Sequence, residues 1–221
     1  KYGTKIIILV GGPLIKENWK QHLLICTGET YLKYHDKSVY VDHAEKIKME
    51  KNALIQALQF YKFMSYKSFY KHVIGEKITD KQPGNKGKAT YRKTDEGEFE
   101  RDISVDRIYN LNNTIIIVDE AHNLTGNTYG DALKFIIRNS INLKVVLLSG
   151  TPMKNLGSDI VELINFLRPI DHQIEKDKIF SSDKGHLIDF KPGGLDYLKN
   201  MMRGYISHVR GSDPLTFAKS G

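Results

Sequence analysis

The sequence predicts an α/β fold in which helices flank a parallel sheet, and two observations lead to that class. First, residues 6–10 and 115–118 are apolar runs rich in β-branched side chains, the second without a polar face, and residues 144–148 form a similar run after Lys144. Such runs are typical of strands buried on both faces of a parallel sheet. Second, stretches with helical spacing of apolar residues separate the runs, as in strand–helix–strand units.

The composition limits the class of protein. At 221 residues, with 40% hydrophobic and 27% charged residues, the chain can form one substantial core. We find no signal peptide and no apolar run of membrane-spanning length, so no membrane partner is expected. The lone Cys26 excludes an internal disulfide and favours a reducing compartment, such as the cytoplasm. The net charge of +7 suits a polyanionic partner, but a generally lysine-rich composition explains it equally well.

The first strand leads into a helix after a turn at residues 11–13. Ile15, Trp19 and Leu23 recur at helical spacing, so we expect them on its core face. This makes Trp19 a core residue rather than a base-stacking one. A polar stretch with short strand-like pieces follows at residues 27–41.

The next elements are a helix over residues 43–60 and a short strand over 61–66. Lysines around the helix predict a solvated face, with a nucleic-acid surface as the alternative. Residues 75–104 have a basic block and then an acidic block, and few of them could bury apolar area. We therefore predict a charged, mobile surface insert there. A nucleic-acid or partner contact through its basic half is the alternative.

Capping residues predict where the later helices begin. Thr128 and Asp131 have the spacing of a capping box, and Ser158 is positioned to cap the following helix. Residues 171–194 are predicted to be a loop, 195–202 a short helix, and 205–209 a strand-like end.

Polar residues follow two of the predicted strands. Asp119, Glu120 and His122 come after residues 115–118, whereas Ser149 and Thr151 come after residues 144–148. The crevice beyond the carboxyl ends of parallel strands is where ligands bind in open α/β sheets. The sequence therefore predicts that two carboxylates and two hydroxyls lie side by side at that edge.

These motifs carry a family resemblance. Asp-Glu-Ala-His at 119–122 and Ser-Gly-Thr-Pro at 149–152 resemble motifs II and III of superfamily 2 helicase-type ATPases. Thr-Pro-Met-Lys-Asn at 151–155 and Asn-Phe-Leu-Arg-Pro at 165–169 resemble the Snf2-type translocases. The tail at 204–214 is similar to nucleoside triphosphatases and early transcription factors of large cytoplasmic DNA viruses, the poxvirus type. The resemblance implies a partial N-terminal RecA-like domain over residues 1–170, with the insert at 75–104. Residues 171–221 would link it to a second RecA-like domain.

The resemblance also implies a site for ATP and Mg²⁺. Asp119 would hold Mg²⁺ through its water shell, and Glu120 would be the general base for the attacking water. His122 would reach toward Ser149 and Thr151 and so connect the nucleotide to the nucleic-acid-facing loops. By the same family pattern, Gly150 and Asn155 belong to this coupling segment.

Two further segments resemble nucleic-acid-gripping motifs. The strand–Gly-Gly-Pro–helix unit resembles motif Ia, and its matching residues include Pro13, Leu14 and Asn18. Met-Ser-Tyr at 64–66 resembles motif Ib, which would give Ser65 and Tyr66 to the same surface. Ser65 is equally suited to cap the next helix. The implied partner is DNA, held by sequence-tolerant phosphate contacts, and transcription machinery is a further expected partner.

One family motif is missing. The sequence contains no Gly-x-x-x-x-Gly-Lys-Ser/Thr phosphate loop. We expect the strand preceding that loop to lie between the strands that end at Asp119 and Ser149, so the sheet should be incomplete, with a gap there. Because the chain begins with Lys1 and strand-like sequence follows at once, we expect a fragment whose missing strand lies upstream or in another chain. The chain alone is then predicted not to hydrolyse ATP.

The sequence thus predicts part of the motor domain of a DNA-dependent ATPase, a helicase or translocase in viral transcription or genome handling. Its expected location is the host cytoplasm or the virion. A degenerate motor that only binds nucleic acid or serves a structural role is one alternative, supported by the absent phosphate loop. An RNA helicase is another, against which the segments 151–155 and 165–169 count.

Overall fold

The structure is a computed structural model that describes residues 6–27, 43–75, 78–82, 92–93, 99–103, 107–153, 156–184 and 187–208. The chain divides into two compact units, Lys1–Lys154 and Asn155–Gly221. The predicted boundary after residue 170 stays a prediction. The strand-like pieces expected within residues 27–41 fall almost wholly outside the described residues. None of the described helices is long and apolar enough to cross a membrane.

A parallel sheet of four strands forms the centre of the first unit. The strands are β1 (Ile6–Val10), β2 (Tyr61–Ser65), β6 (Ile115–Val118) and β7 (Lys144–Leu147), and they lie in the order β2-β1-β6-β7. The helices are α1 (Pro13–Cys26), α2 (His43–Ala57), α3 (Tyr66–Ile74) and α4 (Thr128–Asn139). The predicted α/β class with a parallel sheet and flanking helices is confirmed.

The two inner strands carry the most deeply buried residues of this sheet. Ile7 and Leu9 of β1 and Ile116 and Val118 of β6 are fully buried. Both strands have hydrogen-bonded neighbours on each side, so only apolar side chains satisfy the surroundings of these positions.

The gap predicted between the strands ending at Asp119 and Ser149 is wrong. Strands β6 and β7 pair directly, with Val118 opposite Leu147. The pairing continues beyond the strands, since the Leu148 N–H donates to the carbonyl of Val118 at 2.9 Å. A ladder this regular leaves no room for an intervening strand.

The predicted burial of the strand at residues 144–148 is also wrong. Val146 and Leu148 remain 42% and 39% exposed. The reason is that β7 has β6 on one side and no partner on the other among the described strands.

The insert contains regular structure that the sequence analysis did not predict. Strands β3 (Ile78–Gln82), β4 (Arg92–Lys93) and β5 (Phe99–Ile103) form an antiparallel sheet in the order β3-β5-β4. The register sets Asp80 opposite Arg101 and Lys81 opposite Glu100. The backbones of the basic and acidic blocks therefore pair as antiparallel strands.

Two predicted helix caps are corrected. Asn127, rather than Thr128, caps α4, because its Oδ1 accepts the N–H groups of Tyr129 and Gly130. Ser158 precedes α5 (Asp159–Asn165), but its side chain makes no capping hydrogen bond. The Asp159 carboxylate instead accepts the N–H of residue 156 at 3.1 Å.

The second unit packs around α5 and α6 (Gly194–Met202). Its buried cluster consists of Val161, Ile164, Ile174, Ile179 and Leu198. The predicted loop at residues 171–194 is wrong, because it contains the antiparallel hairpin β8 (Phe180–Lys184) and β9 (Leu187–Phe190). Residues 205–208 are not a strand, and residue 209 lies outside the described residues.

Candidate functional site

The carboxyl ends of three neighbouring strands meet at the candidate site. The Asp119 N–H donates to the Leu9 carbonyl in β1 at 3.0 Å, and the Ala121 N–H donates to the Leu148 carbonyl after β7 at 2.9 Å. The loop that carries the two carboxylates is thereby tied to the strands on either side of β6. The loop therefore lies beside Ser149, at the carboxyl edge of the sheet.

The loop turns sharply at Glu120, whose backbone is left-handed, with φ 51° and ψ 49°. A 3₁₀ helix, Ala121–Leu124, begins at once, and its first and last residues are buried. Steric crowding makes the left-handed conformation unfavourable for residues other than glycine, asparagine and aspartate. The buried residues that follow hold the turn in place, and the Glu120 side chain stays 47% exposed.

His122 joins the two strand ends. Its Nδ1 atom lies 2.9 Å from Ser149 Oγ and 3.3 Å from Thr151 Oγ1. A carboxylate oxygen of Glu120 lies 3.3 Å from the same nitrogen. Ser149 Oγ also accepts the Thr151 N–H at 3.1 Å, which orders the loop after β7. These are the groups that the sequence analysis expected to meet.

Tyr66 contacts the backbone of the loop that carries Asp119 and Glu120. Its hydroxyl donates to the Asp119 carbonyl and lies 3.3 Å from the Glu120 carbonyl. Burial, followed by the negative charges of Asp119 and Glu120, raises the pKa of this hydroxyl above its ordinary value of 10.0, so it remains a donor. The side chain is 7% exposed. Tyr66 is therefore buried against the backbone of Asp119 and Glu120, and does not lie on the surface where a nucleic-acid contact was predicted.

Trp19 is a residue of the site that the sequence analysis placed only in the core. Its indole N–H donates to Asp119 Oδ2 at 2.8 Å. Its rings pack against the buried cluster beneath α1. The partners are 100 residues apart in sequence, so only the fold reveals the contact.

The remaining predicted nucleic-acid residues lie at the same edge. Pro13 is the first residue of α1, and Leu14 beside it is 85% exposed. Asn18, one turn later, is exposed as well. Ser65 caps α3, because its Oγ accepts the Ser68 N–H at 3.1 Å. Asn155 lies outside the described residues.

Asp119 fits the requirements of a Mg²⁺ site that uses few protein ligands. Its Oδ2 is held by Trp19, while Oδ1 has no hydrogen bond to any described residue. The described residues contain no group of three or more His, Cys, Asp or Glu side chains suited to a metal. Mg²⁺ in nucleotide enzymes is commonly held by one or two carboxylates, with water and substrate phosphates completing its shell. ATP would supply those phosphates.

Comparisons with known proteins agree with the fold just described. The chain is 62% identical, over 221 residues, to a protein of Acanthamoeba polyphaga mimivirus that is provisionally named an ATP-dependent RNA helicase. That match covers 99% of this chain and 19% of the relative. The early transcription factor 70 kDa subunit of myxoma virus is 33% identical over 112 residues, which cover 50% of this chain and 17% of that protein. The corresponding vaccinia virus subunit is 31% identical over the same shares.

The matched segments thus span about a fifth of the length of these relatives. A family model, the SNF2-related domain, matches residues 22–202, which is most of the chain and includes the strands that carry Asp119 and Ser149. On this match and this architecture, the chain belongs to the family of SNF2-related domains.

Proposed function

We propose that this chain forms the larger part of the N-terminal motor domain of a DNA-dependent ATPase that serves viral transcription or genome handling. One observation carries the proposal. Asp119 and Glu120 follow β6, Ser149 and Thr151 follow the adjacent β7, and His122 contacts both hydroxyls. This arrangement suits a nucleotide cleft whose state is transmitted to neighbouring loops.

The chemistry would be the transfer of the γ-phosphoryl group of ATP to water. Mg²⁺ would neutralise charge on the β- and γ-phosphates. Asp119 would hold it through coordinated water, and Glu120 would accept a proton as the water oxygen attacks phosphorus and the bond to the ADP oxygen breaks. The exposed carboxylate of Glu120, at the rim of the sheet, suits that role.

His122 would connect this chemistry to nucleic acid. Its contacts with Ser149 and Thr151 give it a direct path to the loop after β7. A change at Glu120, 3.3 Å away, would alter the partners of the same nitrogen. The position of that loop would then depend on the nucleotide.

Hydrolysis also requires a phosphate loop, whose motif this sequence lacks. We use "complete motor" for this chain together with a phosphate loop and a second RecA-like domain, on the same or another chain. The strand before that loop would pair with the outer edge of β7. The position of β7 at the end of the sheet, with β6 as its partner on one side among the described strands, supports this location.

The test uses Glu120→Gln in the complete motor. Nucleotide binding, measured with a labelled ATP analogue, should persist, while phosphate release falls by at least about 10²-fold, as expected for loss of a general base. Glu175→Gln, at an exposed glutamate whose ion pair with Lys178 lies on the surface, is the matched control and should behave like wild type. Wild-type turnover in Glu120→Gln would show that Glu120 is not the general base.

An RNA helicase is the second candidate, and the name of the mimivirus relative at 62% identity favours it. ATPase stimulation by duplex DNA, single-stranded DNA and RNA of equal length separates the two. Stimulation by DNA that weakens with salt supports our proposal, because phosphate contacts would dominate binding. Stimulation by RNA alone would favour the second candidate.

A further inference from the structure

A polar contact joins helix α1 to the Asp119 loop. The Trp19 indole N–H donates to Asp119 Oδ2 at 2.8 Å, across 100 residues of sequence. An indole N–H is a donor only, so it binds one carboxylate oxygen and cannot itself hold a metal. The contact therefore leaves Oδ1 as the oxygen that is open to a coordinated water.

The indole is held in position by its packing. Its rings rest on a buried cluster between α1, α2 and the strands, which consists of Ile8, Val10, Leu23, Ala57 and Phe63. Cores packed this closely resist small displacements. We therefore expect a shift of α1 against the sheet to move the indole N–H relative to Asp119.

The same helix presents its first residues to solvent. Pro13 begins α1, Leu14 is 85% exposed, and Asn18 immediately precedes Trp19. Within two turns, α1 therefore carries an exposed end at the carboxyl edge of the sheet and a hydrogen bond to the proposed Mg²⁺ carboxylate.

We propose that Trp19 is a positioning residue that orients the Asp119 carboxylate for Mg²⁺ and makes this orientation respond to nucleic acid bound at the N-terminal end of α1. This rests on the proposed function. A ligand that displaces α1 would change the Trp19–Asp119 hydrogen bond, and nucleotide bound with Mg²⁺ would in turn favour one position of α1. Linkage of this kind is reciprocal.

The first test is Trp19→Phe in the complete motor, which keeps an aromatic ring in the cluster and removes the N–H. We expect the DNA-induced change in affinity for a non-hydrolysable ATP analogue with Mg²⁺ to fall about tenfold, within the usual range of coupling between sites. The Mg²⁺ concentration needed for half-maximal analogue binding should rise by a similar factor, because a hydrogen bond to a charged group is lost. Affinity for DNA alone should stay unchanged.

Leu23→Val is the matched control, since it loosens the same cluster from the same helix without touching Asp119. It should lower stability and leave both the coupling and the Mg²⁺ requirement as in wild type. Equal effects of Leu23→Val and Trp19→Phe would show that packing alone matters, which overturns the proposal. Unchanged coupling in a folded Trp19→Phe would do the same.

A second measurement does not depend on that variant. The 221-residue chain has one tryptophan, so it gives one indole N–H signal in a ¹H–¹⁵N spectrum. With Asp119→Asn, which keeps the shape and removes the charge, we expect the signal to move and its solvent exchange to accelerate about tenfold. An unmoved signal would refute the contact. If the wild-type complete motor shows no nucleic-acid-stimulated ATPase, the proposed function fails, and the spectrum still tests the contact itself.

Discussion

The Nδ1 atom of His122 lies 2.9 Å from the Oγ of Ser149, so one ring nitrogen connects the ends of two neighbouring strands. In the complete motor, His122→Ala should remove this link. We expect nucleotide affinity to stay within about threefold of wild type, while the stimulation of ATPase by DNA falls about tenfold, because the coupling between sites is lost. Steady-state phosphate release with and without DNA measures both.

His72→Ala is the control for that variant. His72 uses its Nδ1 for a 2.7 Å contact with a backbone carbonyl of its own helix, α3. The His72→Ala variant should leave the stimulation of ATPase by DNA unchanged. An equal loss in both variants would show that the effect does not come from the Ser149 contact.

Tyr66→Phe should destabilise the first unit. The hydroxyl donates to the carbonyl of Asp119 and lies 3.3 Å from that of Glu120, so its removal leaves a half-buried acceptor without that partner. We expect a loss of about 1–3 kcal/mol in the free energy of unfolding, measured with urea. Tyr70→Phe, at a neighbouring tyrosine of the same helix, is the control and should change little. Wild-type stability in Tyr66→Phe would contradict this role.

The Tyr66 contribution should also depend on pH. Its pKa is raised in the folded state above the ordinary 10.0, first by burial and then by the nearby carboxylates. The stabilisation is therefore fully present below pH 10.0 and is lost as pH rises above it, where the unfolded chain ionises first. The difference in unfolding free energy between wild type and Tyr66→Phe should be constant up to about pH 9 and shrink beyond about pH 10. A difference that grows at alkaline pH would contradict the assignment.

Asn127→Ala should weaken the start of α4. The Asn127 side chain accepts two backbone N–H groups and donates to the carbonyls of Asn123 and Thr125, so it fastens the 3₁₀ helix after Glu120 to α4. We expect a loss of about 1–2 kcal/mol in thermal or urea unfolding. Thr128→Ala, at the next residue, should cost less than about 0.5 kcal/mol. The reverse order would restore Thr128 as the cap.

Gly194→Ala should disrupt the second unit. A Cβ at this position would lie 2.9 Å from the Ile179 Cα and closer still to the Ile179 carbonyl oxygen, which are backbone atoms that cannot turn aside. We expect a destabilisation of about 1–3 kcal/mol, measured by urea unfolding. Gly150→Ala is the control, because nothing lies within 4 Å of a Cβ there. Equal stability of the two variants would show that the approach to Ile179 is not tight.

The 221-residue chain alone should release no phosphate from ATP, because its sequence has no phosphate-loop motif. A phosphate-release assay on a purified preparation measures this. Release that disappears with Glu120→Gln would come from this chain and would refute the prediction. Release that persists in the variant would come from a contaminant.

Local patterns in the sequence predict the central sheet well. The run at 115–118 is apolar because β6 has strands on both sides, and the polar residues that end it mark the edge where the site lies. The order of the strands in the sheet was harder to predict from the sequence. Nothing in the run at 144–148 distinguishes an outer strand from an inner one, so both its burial and its neighbour were wrongly predicted.

The residues that position the site, Trp19 and Tyr66, were not predicted for a different reason. Trp19 has the spacing of a core residue and Tyr66 was predicted to contact nucleic acid, whereas their polar atoms find partners 100 and 53 residues away. Periodicity indicates which face of a helix is buried, but it does not indicate what a single polar atom on that face will meet. The insert shows the same limit, because its basic and acidic blocks become a sheet only when they pair.

The left-handed backbone at Glu120 destabilises the fold at the same residue that the proposed hydrolysis needs as its general base. A glutamate there costs the fold about 1 kcal/mol compared with residues that adopt this conformation easily. A selection of variants for heat resistance alone should therefore enrich Glu120→Asn, which relaxes the turn and discards the proposed base. Thermostable forms of this chain obtained in that way would be poor starting points for studying its chemistry.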